Sequence, residues 1–341
     1  MDGNRRRFLR YSAATAATAA FGRTGSAGEA ASADHRRRFK FAHIDVFTSE
    51  PLRGNPLDVF LDARGMSEAE MLAVTRETYL SEATFVFPRD AATERAQGIH
   101  VRIFTPEGEV PFAGHPTLGT ATVLRNLRIV SSRSPAEAAR ELAQIMLDLK
   151  VGKVPVSFQS DNSGRCFGEM QQVAPTFGEL HDRQTIAQLL NLAADDLADD
   201  WPIQTVSTGL PFAIVPLKRL SSLRSLRIDA AKMDAYLARQ TADFGFYYVT
   251  RDTGEAGIDW RARCAYVGGE DAATGSAAGC AVAWFVRYGA ARSEQRLHLR
   301  QGVEMNRTSD LFGRAARDGD RVVNVRIGGY AVETMQGELL L

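Results

Sequence analysis

Phe112-Ala113-Gly114-His115-Pro116-Thr117-Leu118-Gly119 and Thr274-Gly275-Ser276-Ala277-Ala278-Gly279 each open a helix with small residues, and Gly119 and Gly279 stand 160 residues apart. The second run continues in apolar residues to 285, which predicts a buried helix. Working outward, Gly54-Asn55-Pro56-Leu57-Asp58-Val59-Phe60 is echoed by Gly209-Leu210-Pro211-Phe212-Ala213-Ile214-Val215 at an offset of 155. Strand signals at 41–47, 58–61, 84–87 and 99–104 are answered in the second half by 244–249 and 260–267. A helix signal at 67–78 has Ser67 as cap, Glu68 and Glu70 in its first turn and Met71, Leu72 and Val74 as apolar stripe; 230–238 answers it. Motifs in the same order at a nearly constant offset predict duplication of a strand-rich unit with buried helices. The competing reading is chance likeness between two mixed stretches. Residues 131–150 bridge the units, with a short helix opening at Ser134-Pro135-Ala136-Glu137 and a strand at 145–149. Two such units facing each other place their helix starts across a cleft, where free N–H groups can hold a carboxylate without a metal.

Composition narrows the function. The chain has 341 residues, 41 Lys and Arg against 41 Asp and Glu, with 45% hydrophobic and 24% charged residues. Zero formal charge argues against a sequence-independent nucleic-acid binder, which needs a cationic face. The three Cys cannot build a disulfide framework, and neither a Cys-x-x-Cys pair nor a His-rich cluster suggests zinc. Cys280 lies in an apolar run and reads as a small buried hydrophobe; Cys166 and Cys264 sit in strand-like segments and receive no role.

The charge balance averages over an unusual beginning. Arg5-Arg6-Arg7-Phe8-Leu9-Arg10 matches the bacterial twin-arginine export pattern, a weakly apolar stretch follows from Tyr11 to Gly22, and Ala31-Ser32-Ala33 offers a cleavage site. A signal peptide over 1–33 and a periplasmic location are therefore expected. The apolar stretch is too short and polar for a stable membrane anchor. Removing 1–33 takes away five Arg and two acids, leaving 36 basic against 39 acidic residues and a net charge of −3. Arg36-Arg37-Arg38, just beyond, reads as a solvated loose end.

Three places carry candidate chemistry. Glu82, in Leu80-Ser81-Glu82-Ala83-Thr84-Phe85, sits where a loop meets an apolar strand; partial burial there raises a carboxyl towards neutrality, so that it can take and return a proton. An exposed Glu at the strand start is the plainer reading. His115 stands at a turn-to-helix junction fixed by Gly and Pro, suited to donating to a substrate oxygen or shuttling a proton, or merely to capping. Asp271 precedes Thr274, Gly275 and Ser276, a Gly-Ser-rich helix start of the kind that cradles anions. It is equally readable as a plain acid before a helix. There is no Gly-x-Ser-x-Gly elbow, dinucleotide glycine motif, Walker lysine or lysine set for a pyridoxal Schiff base.

Together these motifs resemble the phenazine-biosynthesis PhzF-like family, which has the two-lobed fold of diaminopimelate epimerase. The matching stretches are Val46-Phe47-Thr48 with Gly54-Asn55-Pro56, Ser81-Glu82-Ala83-Thr84-Phe85, Arg102-Ile103-Phe104-Thr105-Pro106 and Phe112 to Gly119. They continue with Val206-Ser207-Thr208-Gly209, Glu270-Asp271 through Ser276-Ala277, Gln301-Gly302-Val303-Glu304-Met305-Asn306-Arg307 and Gly328-Gly329. Asp58 departs from the small apolar residue usual after Gly-Asn-Pro. The resemblance implies an α+β fold of two similar lobes, each a strongly curved, mostly antiparallel sheet around a central helix. The lobes would span 39–150, completed by 328–341, and 151–327. It implies that Glu82 is the general acid/base, with His115 and Asp271 assisting proton movement, and that Asn55, Gly114, Thr274, Gly275 and Ser276 bind substrate. No metal or organic cofactor is implied, and a homodimer is. The epimerases of this shape use two facing Cys; here His115 and Asp271 occupy the corresponding helix starts, which disfavours a two-thiolate racemase. The expectation is thus an isomerase or epimerase moving a proton on a small carboxylated substrate. The alternative is an exported small-molecule binding protein that has kept the cleft and lost turnover.

Overall fold

The strand Arg38–Val46 pairs antiparallel with Asn55–Phe60, and that pairing starts an order repeated later in the chain. The computed structural model describes residues 36–130, 134, 142–161, 163–240, 245–266 and 269–341. The expected leader at 1–33 and the short helix opening at Ser134 lie outside the described residues, Ser134 itself excepted. Residues Arg37 to Leu341 form one compact unit.

In its first half, Asn55–Phe60 runs parallel to Ala83–Phe87, which is antiparallel to Ile99–Phe104, which is parallel to Gln144–Leu149. Gly152–Ser160 and Cys166–Gln171 then follow antiparallel. In the second half, Ile203–Ser207 is antiparallel to Pro211–Leu217, which is parallel to Gly245–Thr250. Trp260–Tyr266 follows antiparallel, Leu297–Gln301 parallel, and Ser309–Asp318 and Arg321–Gly329 antiparallel. The order of pairings and their directions are the same twice over. Even the short strands match: Glu109–Val110 hangs on Ile99–Phe104 as Gly269–Asp271 hangs on Trp260–Tyr266. The last strands of the two runs, Cys166–Gln171 and Arg321–Gly329, pair antiparallel and join them. The outer neighbour of Ile203–Ser207 is Thr176–His181, immediately before it in sequence. That of Arg38–Val46 is Ala331–Leu340, from the other end of the chain. Arg37 N–H donates to Leu341 O at 2.6 Å and Leu341 N–H returns to Arg37 O at 2.9 Å. Of the arginines expected to be a solvated loose end, all three are exposed, but Arg37 is tied to Leu341 and Arg38 begins a strand and pairs with Glu338 at 3.0 Å.

The sheet is strongly curved because each half must wrap a helix. Gly114–Val130 is buried from Gly114 through Arg125, and Gly275–Arg287 from Gly275 through Val286. The opening turn of the first, with Pro116 third, already has helical geometry; a Pro there forgoes no intrahelical bond. A β-carbon on Gly119 would lie 2.8 Å from both Leu57 Cδ2 and Val46 Cγ2, so only Gly lets the helix rest directly on those strands. Around the second helix Trp260 stacks on Phe285 with ring centroids 4.0 Å apart, and Trp284 meets Phe285 edge-on. Each fully buried Leu, Val or Phe in these layers stabilises the fold by ~1.5–3 kcal/mol. The architecture is α+β, two similar halves of a curved, mostly antiparallel sheet around central helices.

Local signals place the loops that matter. Ser67 and Glu70 form a reciprocal capping box at the start of Glu68–Thr78. That helix ends at Tyr79 in the left-handed region, φ 56°, and the chain turns through Ser81 and Glu82 into Ala83–Phe87. The Gly54–Asn55 turn is tied down from the second half: Arg307 Nε donates to Gly54 O at 3.0 Å, and its guanidinium pairs with the buried Asp45 at 2.5 Å. Asp58, the residue that departs from the family pattern, accepts from His43 Nδ1 across the first strand pair at 2.7 Å.

Candidate active site

The two central helices meet head to head. A β-carbon on Gly114 would sit 2.6 Å from both Gly275 Cα and Ser276 N, so the first residues of the helices touch backbone to backbone. Both positive helix ends and their unbonded first-turn N–H groups thus converge on one spot. His115 and Ser276, the second residues, take equivalent positions.

Around this contact the structure brings together Glu82, His115, Asp271, Asn55 and Thr274. Asn55 Nδ2 donates to Asp271 Oδ1 at 2.6 Å and to Ala273 O at 3.0 Å, and faces His115 Nδ1 at 3.1 Å. Asn55 Nδ2 shares its two hydrogens among these three neighbours and cannot accept, so a hydrogen on His115 Nδ1 would face a donor and the proton of the neutral imidazole is better placed on Nε2. Burial keeps the imidazole neutral, depressing its pKa to about 3. His115 Nε2 lies 3.7 Å from Glu82 Oε2, too far for a hydrogen bond. Both atoms are buried and unpartnered. The Glu82 side chain keeps 17% of its surface accessible, against 3% for His115, so the gap between them is reached from the Glu82 side.

Glu82 is not the exposed acid of the plainer reading. Burial, then the charge of Asp271, push its pKa up to about 8. Burial also raises Asp271, and the hydrogen bonds from Thr274 and Asn55 oppose this. The two carboxyls come from opposite halves and titrate as a pair. Asp271 is held on its other oxygen by Thr274 Oγ1 at 2.6 Å. Thr274, expected to offer its backbone donor to substrate, has that N–H directed at Gln301 Oε1 at 3.1 Å, which leaves Gly275 and Ser276 to offer theirs.

Sequence reasoning missed Gln301 and Tyr247 as site residues. Gln301 is fully buried; its Nε2 donates to Asp271 O at 2.8 Å and to Thr274 Oγ1 at 3.0 Å, and its Oε1 accepts from Tyr247 OH at 3.0 Å. It also missed Gln172, whose Nε2 donates to Gly275 O at 2.9 Å while its Oε1 accepts from Thr208 Oγ1 at 2.6 Å. Gln301 lay inside a quoted motif, but its partners are 30 and 54 positions away, and no local pattern signals them. Among the described residues no three His, Cys, Asp or Glu side chains converge to hold a metal ion. Cys264 is buried opposite Asp271 on the paired strand, where burial and then the Asp271 charge push its thiol pKa up, and Cys280 is buried with its Sγ 3.4 Å from Thr208 Oγ1.

The site is thus a head-to-head pair of helix starts on a duplicated curved sheet, with a buried acid of raised pKa beside it. The chain belongs to the phenazine biosynthesis-like (PhzF) family, whose model matches residues 44–337. It is 33% identical over 306 residues to trans-2,3-dihydro-3-hydroxyanthranilate isomerase of Pseudomonas aeruginosa, covering 89% of this chain and 99% of that one. The corresponding isomerase of Pseudomonas chlororaphis is 32% identical over 302 residues, covering 87% and 98%. Among solved structures, a PhzF-family phenazine biosynthesis protein of Bacillus anthracis superposes with a TM-score of 0.77 at 25% identity, covering 89% and 100%. A predicted epimerase of Pseudomonas aeruginosa superposes at 0.73 and 33% identity, covering 89% and 99%. A probable proline racemase of Agrobacterium radiobacter shares the fold alone, at 0.59 and 12%. The protein is accordingly an isomerase.

Proposed function

We propose that this isomerase moves a proton on a small carboxylated substrate with its own side chains, Glu82 acting as general acid/base without metal or organic cofactor. The observation that carries this reading is the pair of buried, unpartnered atoms Glu82 Oε2 and His115 Nε2, 3.7 Å apart. A substrate lying against this pair meets a proton carrier and a neutral N–H donor side by side. Glu82 in its ionised form takes a proton from carbon; the C–H electron pair spreads into an adjoining unsaturated or carbonyl group, and His115 Nε2–H donates to the oxygen where charge gathers. Glu82 then returns the proton to the same or another carbon, so atoms and charge balance. A pKa near neutrality suits both halves of that exchange. The substrate carboxylate rests on the first-turn amides of Gly275 and Ser276, beside Gly114, where two helix ends supply positive potential. Asn55 keeps the imidazole in the donating tautomer.

Export through a twin-arginine leader would set the protein to work outside the cytoplasm, on a substrate present there. The binding-protein reading has no observation in its favour. The test is deuterium uptake from heavy water into a panel of cyclic and amino-acid carboxylates. Turnover of at least one is expected, and Glu82→Gln should lower it by at least ~10²-fold. Uptake undiminished in that variant would overturn the role of Glu82.

A further inference from the structure

The hydrogen bonds around Asp271 run in one direction only, and two backbone groups fix it. Thr274 N–H can only donate, so the Gln301 atom 3.1 Å from it is the carbonyl Oε1. Asp271 C=O can only accept, so the Gln301 atom 2.8 Å from it is the amide Nε2. With the side-chain amide thus oriented, Nε2 also donates to Thr274 Oγ1 at 3.0 Å, which turns the hydroxyl hydrogen towards Asp271 Oδ2 at 2.6 Å. On the other oxygen, Ala273 O fixes Asn55 in the same way, so Asn55 Nδ2 donates to Asp271 Oδ1 at 2.6 Å. Both carboxylate oxygens face donors. Donors on both oxygens favour the ionised form over the protonated one.

We propose that Gln301 is a positioning residue that keeps Asp271 ionised, so that the one proton shared by the two buried carboxyls resides on Glu82. Gln301 acts through Thr274 and touches neither the substrate gap nor Glu82. The proton on Glu82 must leave before Glu82 can take one from carbon, and Asp271 supplies the fixed negative charge that then makes Glu82 a strong enough base. This rests on the reading of Glu82 as proton carrier, but its test does not require turnover.

The test is a carboxyl carbon NMR titration of the whole protein, with Glu and Asp labelled in separate samples and resonances assigned by Glu82→Gln and Asp271→Asn. In the unsubstituted protein the Glu82 carboxyl is expected to take the upper step of the pair and Asp271 the lower. Gln301→Met frees the Thr274 hydroxyl to turn away, and the Asp271 step should rise by about one pH unit or more, towards that of Glu82. Should that variant fail to fold, Thr274→Val removes the same hydroxyl hydrogen at the surface of the network and should raise the Asp271 step likewise. Tyr247→Phe leaves both backbone anchors of Gln301 in place and should leave the order of titration unchanged. Asp271 taking the upper step, or an Asp271 step unmoved in a folded Gln301→Met or Thr274→Val protein, overturns the proposal. The expected titration without deuterium uptake on any substrate would count against the functional reading alone.

Discussion

At the scale of single residues, three ionisable groups share one small, dry volume, and their pH responses differ in sign. Glu82 has its pKa raised by burial and by Asp271, so the folded state holds a proton that the unfolded chain releases near the ordinary glutamate value. Its contribution to stability is full below about 4.5 and is lost as pH rises towards about 8. Asp271 acts in the same direction in a lower window. His115 acts oppositely: buried and neutral, it costs stability as pH falls from 6.5 towards about 3, where the unfolded chain binds a proton that the folded one refuses. Denaturant melts between pH 5 and pH 9 should therefore show Glu82→Gln gaining on the unsubstituted protein as pH rises. Parallel curves would mean that Glu82 is not buried as described. The residues of this cluster were legible in the sequence through the family motifs that hold them, since locally a Glu before an apolar strand reads as well as an exposed acid and a His between Gly and Pro as well as a cap. Their proximity was not, because it depends on two strand ends meeting from separate halves.

At the scale of elements, the twin hairpins explain how the helix starts are delivered. Arg102 grips Glu109 through two bonds, 2.8 and 2.9 Å, and Arg263 grips Glu270 in the same way, 2.8 and 2.6 Å. Each clamp closes the short strand that leads into a central helix, and the second immediately precedes Asp271. They differ in reserve. Glu109 also has Lys150 at 3.4 Å, and Arg102 keeps 21% of its side chain accessible against 10% for Arg263, while the two acids are buried alike at 16% and 13%. Arg263→Met should cost about 3 kcal/mol by leaving Glu270 buried beside Asp271, and Arg102→Met clearly less. Thermal melts of the two variants check this. The helix contact itself is stricter still. In Gly114→Ala the new methyl meets backbone, which cannot rotate away, so a loss of at least ~2 kcal/mol is expected in chemical denaturation. Gly119→Ala meets side-chain methyls of Leu57, Val46 and Ile44 rather than backbone and should cost less. These small-residue helix starts were the most legible part of the sequence, because Gly and Ala packed this densely have a steric cause. Less was read from 152–160, although Val154, Val156 and Phe158 alternate inward along that strand and the period of two was there to be found.

At the scale of the whole molecule, the duplication was visible as an offset between motifs, but not how the halves are joined. The Cys166–Gln171 and Arg321–Gly329 pairing has no sequence signal of its own, since either strand would satisfy any edge. Nor does a local pattern announce that the last strand completes the first half. Deleting residues 331–341 should therefore damage the fold as removal of a core strand would, exposing the backbone of Arg38–Val46. Amide exchange along 38–46 is expected to accelerate sharply in such a truncation while the second helix stays protected.

The mutual pairing of Arg37 and Leu341 has one more consequence. The two ends of the described fold are neighbours across a ladder, so a turn of about two residues suffices to join them. If the chain is then opened between Ala174 and Pro175, the second half precedes the first, and the strand pair at the old termini becomes two antiparallel strands consecutive in sequence, as Thr176–His181 and Ile203–Ser207 already are. The halves become alike in connectivity as well as in pairing. Which of them is synthesised first is a matter of where the ring was cut, and a permuted chain should fold to the same cleft.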